Sequence, residues 1–471
     1  MTEPLVVRDP SMRPAGELLR GPAVCCSPDA SVKDAAQAMT AAGRRHVLVP
    51  LGDGEWGIFT DGDLRRRVVA AGLDTAAPVR VAVTAPARTV PADRLGADVL
   101  MDMLEHGVRH MPVLSARGEP LGVLEDTDLL ATATRGGFVL RRTIAQATDP
   151  DEMTAAAARV PELIVGLWRA RVAALDVSAI LSVLMDAAVA GAARMVRDDS
   201  LCAAAWLTLG SVARREAMPG SDVDSAMVWP DTADGPDVRQ AALTCAGRVH
   251  GLLDECGFRA DQKGALASRP RFARPESGWL TALDGWLADP YTDQGVVMIS
   301  LLADSRIATG PADLDLAAAA ADRLRASPDA SRLLLREAVE DKARMHSLRE
   351  ILTRRTDTVD LKAQGVMPIV NIARWAGLAA ESVEAATPAR LRAAASAGLL
   401  PEDDARVLAE SFDVLAQIRL RHQCEQLERG DQPTDVVTLH DLTPLCRSLL
   451  ANAIREIAGV QRKLAYTGPP S

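Results

Sequence analysis

The sequence predicts a chain of three folded parts: an N-terminal α/β pair of repeats, a central α/β domain and an all-α C-terminal domain. Three observations predict it. A block within the first 135 residues returns later in that segment, a Gly-Ser turn and two aspartates lie between apolar runs in the middle, and helical spacing prevails after residue 310. At 471 residues with 48% hydrophobic content, the chain can bury several cores of ~150 residues each. The expected divisions are 15–135 for the repeat pair, 136–198 for a helical connector, 199–310 for the central domain and 311–466 for the helical end.

In the N-terminal part, Arg45-His46-Val47-Leu48-Val49 returns as Arg109-His110-Met111-Pro112-Val113. Gly57 to Leu64 (G-I-F-T-D-G-D-L) returns as Gly122 to Leu129 (G-V-L-E-D-T-D-L), with a one-residue slip between the blocks. Each copy reads as an amphipathic helix, two apolar strands and a second helix. One copy cannot cover its own apolar face, so the two are expected to pack as a pseudo-twofold pair.

Between 136 and 200, apolar residues at three and four spacing (Leu163, Leu167, Val172, Leu175; Ile180, Leu184, Ala188) predict a two-helix connector. Val177 to Val196 is its most apolar stretch; Asp186 and Arg194 interrupt it, and it reads as a packed helix rather than a membrane span. A strand, a turn and a strand are expected from Leu207 to Trp229, a helix from Val238 to Cys256, and a further strand from Gly295 to Leu302. Beyond Pro311 the chain is helical, with breaks at Gly365, Gly398 to Pro401, and Gly430 to Pro433.

The chemistry concentrates in Leu209-Gly210-Ser211-Val212-Ala213-Arg214-Arg215-Glu216 and Ser221-Asp222-Val223-Asp224. A bare Gly210-Ser211 turn after an apolar strand lets backbone N–H groups approach a triphosphate. In extended backbone Asp222 and Asp224 point to one side while Val223 packs behind, which suits a hard cation such as Mg²⁺ or Mn²⁺. Asp304, after the apolar run 296–302, is the expected third metal ligand and general base. Arg214 and Arg215 are expected as phosphate contacts.

The G-S-x(10)-D-x-D set resembles the DNA polymerase β-like nucleotidyltransferase superfamily. It is similar to the catalytic domain of PII signalling protein uridylyltransferase, through Gly210, Arg214, Glu216, Ser221, Asp222 and Asp224; Ala213 and Arg215 stand where that relative has glycines. The N-terminal repeats resemble a tandem CBS pair. The whole order resembles the bacterial CBS-containing nucleotidyltransferases, also through Cys256-Gly257-Phe258, Trp279, Asp304-Ser305-Arg306, Asp360-Leu361-Lys362, Arg374 and Ile418 to Gln423.

This resemblance implies transfer of an NMP from an NTP to an acceptor hydroxyl, for instance on a PII-like signalling protein. It implies an adenine-nucleotide sensor (AMP, ADP or ATP) in the CBS pair, where Thr60 would meet a phosphate and Asp63 a ribose, with Asp128 as the second-copy counterpart. Thr60 and Asp63 can equally serve as helix caps, and Glu125 in place of a threonine puts a negative charge where a second phosphate would sit. Two other readings keep this sequence: a non-catalytic sensor or scaffold, and a small-molecule adenylyltransferase.

Several features bound the expectations. The net charge of −10 offers no global attraction to nucleic acid. Seven scattered cysteines without ligand spacing read as reduced thiols, and the first twenty residues lack an apolar signal core, so a cytoplasmic protein is expected. His440-Asp441 lacks the distal Asp of an HD phosphohydrolase, so transfer without a built-in removal activity is expected. Trp279, Trp286 and Trp375 read as core anchors, and CBS pairs make a homodimer the expected assembly.

Overall fold

A computed structural model describes residues 14–467 except 53, 95, 127–134, 197–200, 202, 262–263, 291–293, 312–314, 341–342, 344–357 and 383. The expected site residue Asp128 lies outside the described residues. The chain divides into two compact units between Phe138 and Val139.

In the first unit each repeat has a helix followed by an antiparallel strand pair. Helix α1 (Val32–Ala41) starts in a capping box: the Ser31 hydroxyl accepts from the Asp34 N–H, and the Asp34 carboxylate accepts from the Ser31 N–H. Strands β1 (His46–Gly52) and β2 (Glu55–Thr60) pair with His46 opposite Thr60. In the second repeat, β3 (Val90–Pro91), α2 (Gly96–His106), β4 (His110–Leu114) and β5 (Pro120–Glu125) follow, with His110 opposite Glu125. The internal repeat is thus repeated in register, because alternate strand residues must face the same core in both copies.

Four helices stand where two were expected: α3 (Arg135–Gln146), which runs through the division, then α4 (Pro150–Ala157), α5 (Val160–Arg169) and α6 (Ala174–Met195) in the second unit. Asp149 caps α4 by accepting from the Glu152 N–H, with Pro150 in the first turn, and this local stop signal splits the apolar pattern. Among the described residues α6 alone is long and apolar enough to cross a membrane, and 78% of its apolar window is buried in the unit. It is apolar nearly all round because it is enclosed.

The central sheet has the order β8-β7-β6-β9, from β6 (Ala205–Thr208), β7 (Ser225–Trp229), β8 (Ala273–Pro275) and β9 (Arg306–Thr309). Strand β6 runs antiparallel to β7 and β9, whereas β8 is parallel to β7. Helices α7 (Pro236–Glu255) and α8 (Glu276–Ala288) connect them. The expected strand from Gly295 to Leu302 is instead helix α9 (Gly295–Ala303). An apolar run interrupted only by Ser300 has no periodicity to separate a strand from a helix, and the sheet edge is taken by β9, just beyond it.

Helices α10 (Leu316–Ala326) and α11 (Pro328–Glu340), strand β10 (Thr358–Asp360), helices α12 (Met367–Ala379), α13 (Thr387–Ser396) and α14 (Glu402–Glu428), strand β11 (Val436–Thr438) and helix α15 (Pro444–Thr467) complete the unit. No break in the core falls at residue 310. One apolar cluster runs from Ala205 and Leu207 on the sheet through Trp279, Trp286 and Trp375 to Leu464. The three tryptophans are buried core anchors, as expected.

Candidate nucleotidyl-transfer site

Strand β6 delivers the chain to Leu209, whose N–H donates to the Asp224 carbonyl at 3.1 Å. Gly210 then turns with φ of +56° into a short helical turn ending at Ala213. Glycine is required here twice over. The dihedral is one that L side chains rarely adopt, and a Cβ would lie 2.5 Å from the Asp224 Oδ2. Gly210→Ala is therefore expected to displace the Asp224 carboxylate and lower transfer by ~10²-fold while the protein stays folded; steady-state kinetics beside a thermal melt check this.

Asp222, Val223 and Asp224 immediately precede β7. Val223 is fully buried, and its neighbours on either side are partly exposed, the alternation expected of extended backbone. Val223 bridges Ala260 in parallel, and its N–H donates to the Arg259 carbonyl at 2.8 Å. That bridge carries Asp261 to the neighbourhood of Asp224.

Burial, then the carboxylates of Asp261 and Asp222, push the Asp224 carboxyl up to about 7, against the opposing pull of Lys362 and Arg214. Asp261 and Asp222 thus oppose ionisation of Asp224, a condition that a divalent cation relieves, and the all-oxygen chemistry of the three fits Mg²⁺ or Mn²⁺. The site residue missed from sequence is Asp261. Its sequence signal was its position three residues after Cys256-Gly257-Phe258, but only the Val223–Ala260 bridge brings it to the pair.

The raised Asp224 pKa has a stability consequence. The folded chain binds this proton more tightly than the unfolded one, so stability is present at low pH and is lost as pH rises from the ordinary carboxylate range of ~4 towards 7. Asp224→Asn is expected to remove that loss. Melting both proteins without metal at pH 5 and pH 8 measures it: the variant gains on the parent at the higher pH.

Asp304 requires a correction. Instead of facing Asp222 and Asp224 as a third ligand, it is fully buried among three arginines. Arg214 Nη1 donates to its Oδ2 at 2.6 Å, Arg374 Nη2 to the same oxygen at 2.6 Å, and Arg390 Nη1 to Oδ1 at 2.5 Å. Burial alone would raise its pKa, but Arg374, Arg390 and Arg214 together hold it far below the usual carboxylate range. A carboxylate so strongly held as an anion and so fully occupied is a poor general base and has no room for a metal.

The arginines are redirected as well. Arg214 also donates through Nε to Glu216 at 2.7 Å, and the other Glu216 oxygen accepts the Thr387 N–H at 2.6 Å. Arg215, at φ of +66°, and Arg306 both donate to Asp186 on α6. These contacts bind the turn after Gly210 to α6, α12 and α13, so Arg214 and Arg215 are engaged inside the protein rather than presented to a phosphate. The basic side chain near Asp224 that is exposed is Lys362, after β10. It lines a small cavity with Ser211, Arg214, Glu216, Met218 and Arg419.

The C-terminal helices also grip the aspartate loop. Gly220 donates to Gln423 Oε1 on α14 at 2.9 Å, and a Cβ there would lie 2.7 Å from the Pro433 carbonyl. Gln423 Nε2 in turn donates to Asp435, which also receives Arg419 at 2.7 Å. The Ser221 hydroxyl accepts the Met218 N–H at 2.9 Å.

In the first unit, Thr60 and Asp63 satisfy one another. The Thr60 hydroxyl donates to Asp63 Oδ2 at 2.6 Å, and the Thr60 N–H donates to the same oxygen at 3.1 Å. Asp63 is buried and also accepts from the Thr84 hydroxyl at 3.2 Å. The pair forms a capping box at the turn after β2, the alternative that the residue types allowed. His440 and Asp441 lie exposed at a turn.

A Gly-Ser turn and an aspartate pair at the end of a small mixed sheet, packed into a helical C-terminal part and preceded by a repeated α/β pair, define a nucleotidyltransferase-type chain. The family models agree. CBS domain models match residues 15–70 and 79–134, "Putative nucleotidyltransferase DUF294" matches 158–293, and "Putative nucleotidyltransferase substrate binding domain" matches 328–467. The chain belongs to the CBS-domain-containing nucleotidyltransferase family.

Among solved structures, the chain is similar to an uncharacterized conserved protein from Pyrococcus horikoshii, at 27% identity over 25% of this chain and 90% of that one, with a TM-score of 0.24. A CBS-domain containing protein from Agrobacterium tumefaciens is 30% identical over 25% and 95% of the two chains, TM-score 0.22. A CBS domain protein from Pyrobaculum aerophilum complexed with AMP is 23% identical over 27% and 98%, TM-score 0.24. No curated protein matches the chain.

Proposed function

We propose that the central domain transfers a nucleoside monophosphate from an NTP to an acceptor hydroxyl, releasing pyrophosphate. The observation that carries this reading is an Asp224 carboxyl raised by burial and by the carboxylates of Asp261 and Asp222, set against a turn where a Cβ on Gly210 would collide with it. Asp222 and Asp224, with Asp261 beside them, would hold Mg²⁺ or Mn²⁺. When bound, the ion supplies charge neutralisation for the phosphates and a more acidic acceptor hydroxyl.

The chain's own residues do the remaining work. Gly210 keeps the turn low enough for a triphosphate to approach Asp224, and Ser211 offers a hydroxyl donor at its edge. Lys362 replaces Arg214 and Arg215 as the cation proposed to meet the phosphates, since it is exposed near Asp224 whereas they are engaged internally. Lys362→Ala is expected to raise the KM for NTP by ~10-fold with a smaller change in kcat, measured by initial rates over a range of NTP. With Asp304 set aside, Asp261 or Asp224 is the carboxylate left to take the acceptor proton.

The acceptor is proposed to be a protein hydroxyl, of the uridylyltransferase or adenylyltransferase kind, seated against the C-terminal helices that hold the aspartate loop. The CBS pair is proposed to bind an adenine nucleotide through Thr60 and Asp63, which must first open their mutual capping box. A cytoplasmic homodimer is the proposed setting. Incubating the protein with each labelled NTP and a cell lysate tests the reading. Label on one protein band, lost in Asp222→Asn, supports protein transfer, and label on a small molecule turns it towards the small-molecule enzymes. No label with any NTP supports the non-catalytic sensor.

A further inference from the structure

The two repeats of the first unit bring together three side chains that nucleotidyl transfer does not use. His46 opens β1 and His110 opens β4, matching positions of the repeat. Their rings meet edge-on, with centroids 5.3 Å apart and planes at 60°. Glu125, the last residue of β5, lies directly across from His110 in the strand register. One ligand atom from each of the three lies within 4.8 Å of the other two.

Their local chemistry points to a ligand. His46 is 3% exposed, and its Nδ1 is buried with no hydrogen-bond partner. Buried polar atoms are rarely left so. The nearest Glu125 oxygen is 3.5 Å from that nitrogen, beyond ordinary hydrogen-bond length. It is close to the ~3.4 Å edge between two ligands of a tetrahedral ion whose bonds are ~2.0–2.1 Å.

The surrounding charge is mixed. Arg44 and Arg45 are near, Arg109 is paired with Asp126 at 2.7 Å, and Asp61 faces both histidines. The repeat itself explains the acid: the second copy has Glu125 where the first has Thr60, so the departure that spoils a phosphate contact completes a two-histidine, one-carboxylate donor set.

We propose that His46, His110 and Glu125 form a binding site for a divalent transition metal of the zinc class, bridging the two repeats. Both repeats supply a ligand, so the ion would link them and stabilise the first unit. The site is chemically distinct from the all-oxygen Asp222–Asp224 centre.

The test uses the full-length chain carrying Asp222→Asn and Asp224→Asn, so that the carboxylate centre does not compete, with Co²⁺ as a visible-absorbing probe. One Co²⁺ per chain is expected, with the intense visible bands of a four- or five-coordinate site and a raised melting temperature. His110→Ala and Glu125→Thr, the latter using the residue of the first repeat, should each weaken binding by at least ~10²-fold while the metal-free proteins melt cooperatively. Absence of Co²⁺ binding in the parent, or unchanged affinity in both folded variants, would overturn the assignment.

Discussion

Replacing Asp222 and Asp224 together by asparagine is expected to abolish metal-NTP binding and reduce transfer by at least ~10³-fold, the loss of several kcal/mol of charge stabilisation at the reacting phosphate. The fold should survive, because the double substitution removes a buried carboxylate and the charge of Asp222 that opposes it. Without metal the double variant should be at least as stable as the parent at pH 8, and the stabilisation that Mg²⁺ or Mn²⁺ confers on the parent should vanish. Thermal melts with and without metal, beside labelled-NTP assays, separate these effects. Metal-dependent stabilisation or nucleotide binding that persists in the folded double variant would remove these residues from the site.

Asp304→Ala is expected to act in the opposite order, on stability before chemistry. It leaves Arg214, Arg374 and Arg390 without the carboxylate they share, in a region where all three are nearly inaccessible. Breaking one partner of a buried ion network costs ~3–5 kcal/mol, here a fall in melting temperature of order 10 °C. The native contribution is present above the ordinary carboxylate pKa and is lost only as pH falls far below it, through the depressed value. Calorimetry of Asp304→Ala and Asp304→Asn at neutral pH measures the loss. A normally stable Asp304→Ala protein that has lost metal-dependent transfer would restore Asp304 to the metal site.

The contrast between Asp222 and Asp304 shows how far a linear pattern reaches. Asp222 and Asp224 sit two residues apart beside a glycine turn, so the alternation of extended backbone relates them with no knowledge of the rest of the chain. The repeat of Arg45–Val49 at Arg109–Val113 is legible for the same reason. Asp304 looks the same in sequence as any acid after an apolar run. Its partners Arg374 and Arg390 come from helices α12 and α13, far along the chain, and no spacing rule links them.

The connector and α9 show a second kind of limit. From 295 to 303 nearly every residue is apolar, including the exposed Val297, so the pattern lacks the periodicity that distinguishes helix from strand. Competition settled it: β9 occupies the edge beside β6, and the preceding segment packs as a helix against α8 and α10.

By itself, then, the sequence determined the order of the parts, the paired repeats, the Gly210 turn and the Asp222–Asp224 pair, all set by short-range backbone geometry and apolar alternation. Tertiary structure alone decided the rest. It joined the central sheet and C-terminal helices in one core, put Asp261 and Lys362 near Asp224, and enclosed Asp304 among three arginines. The physical reason is electrostatic as well as topological. A carboxylate's role depends on which charges share its low-dielectric surroundings, and those charges arrive from residues that only folding brings near.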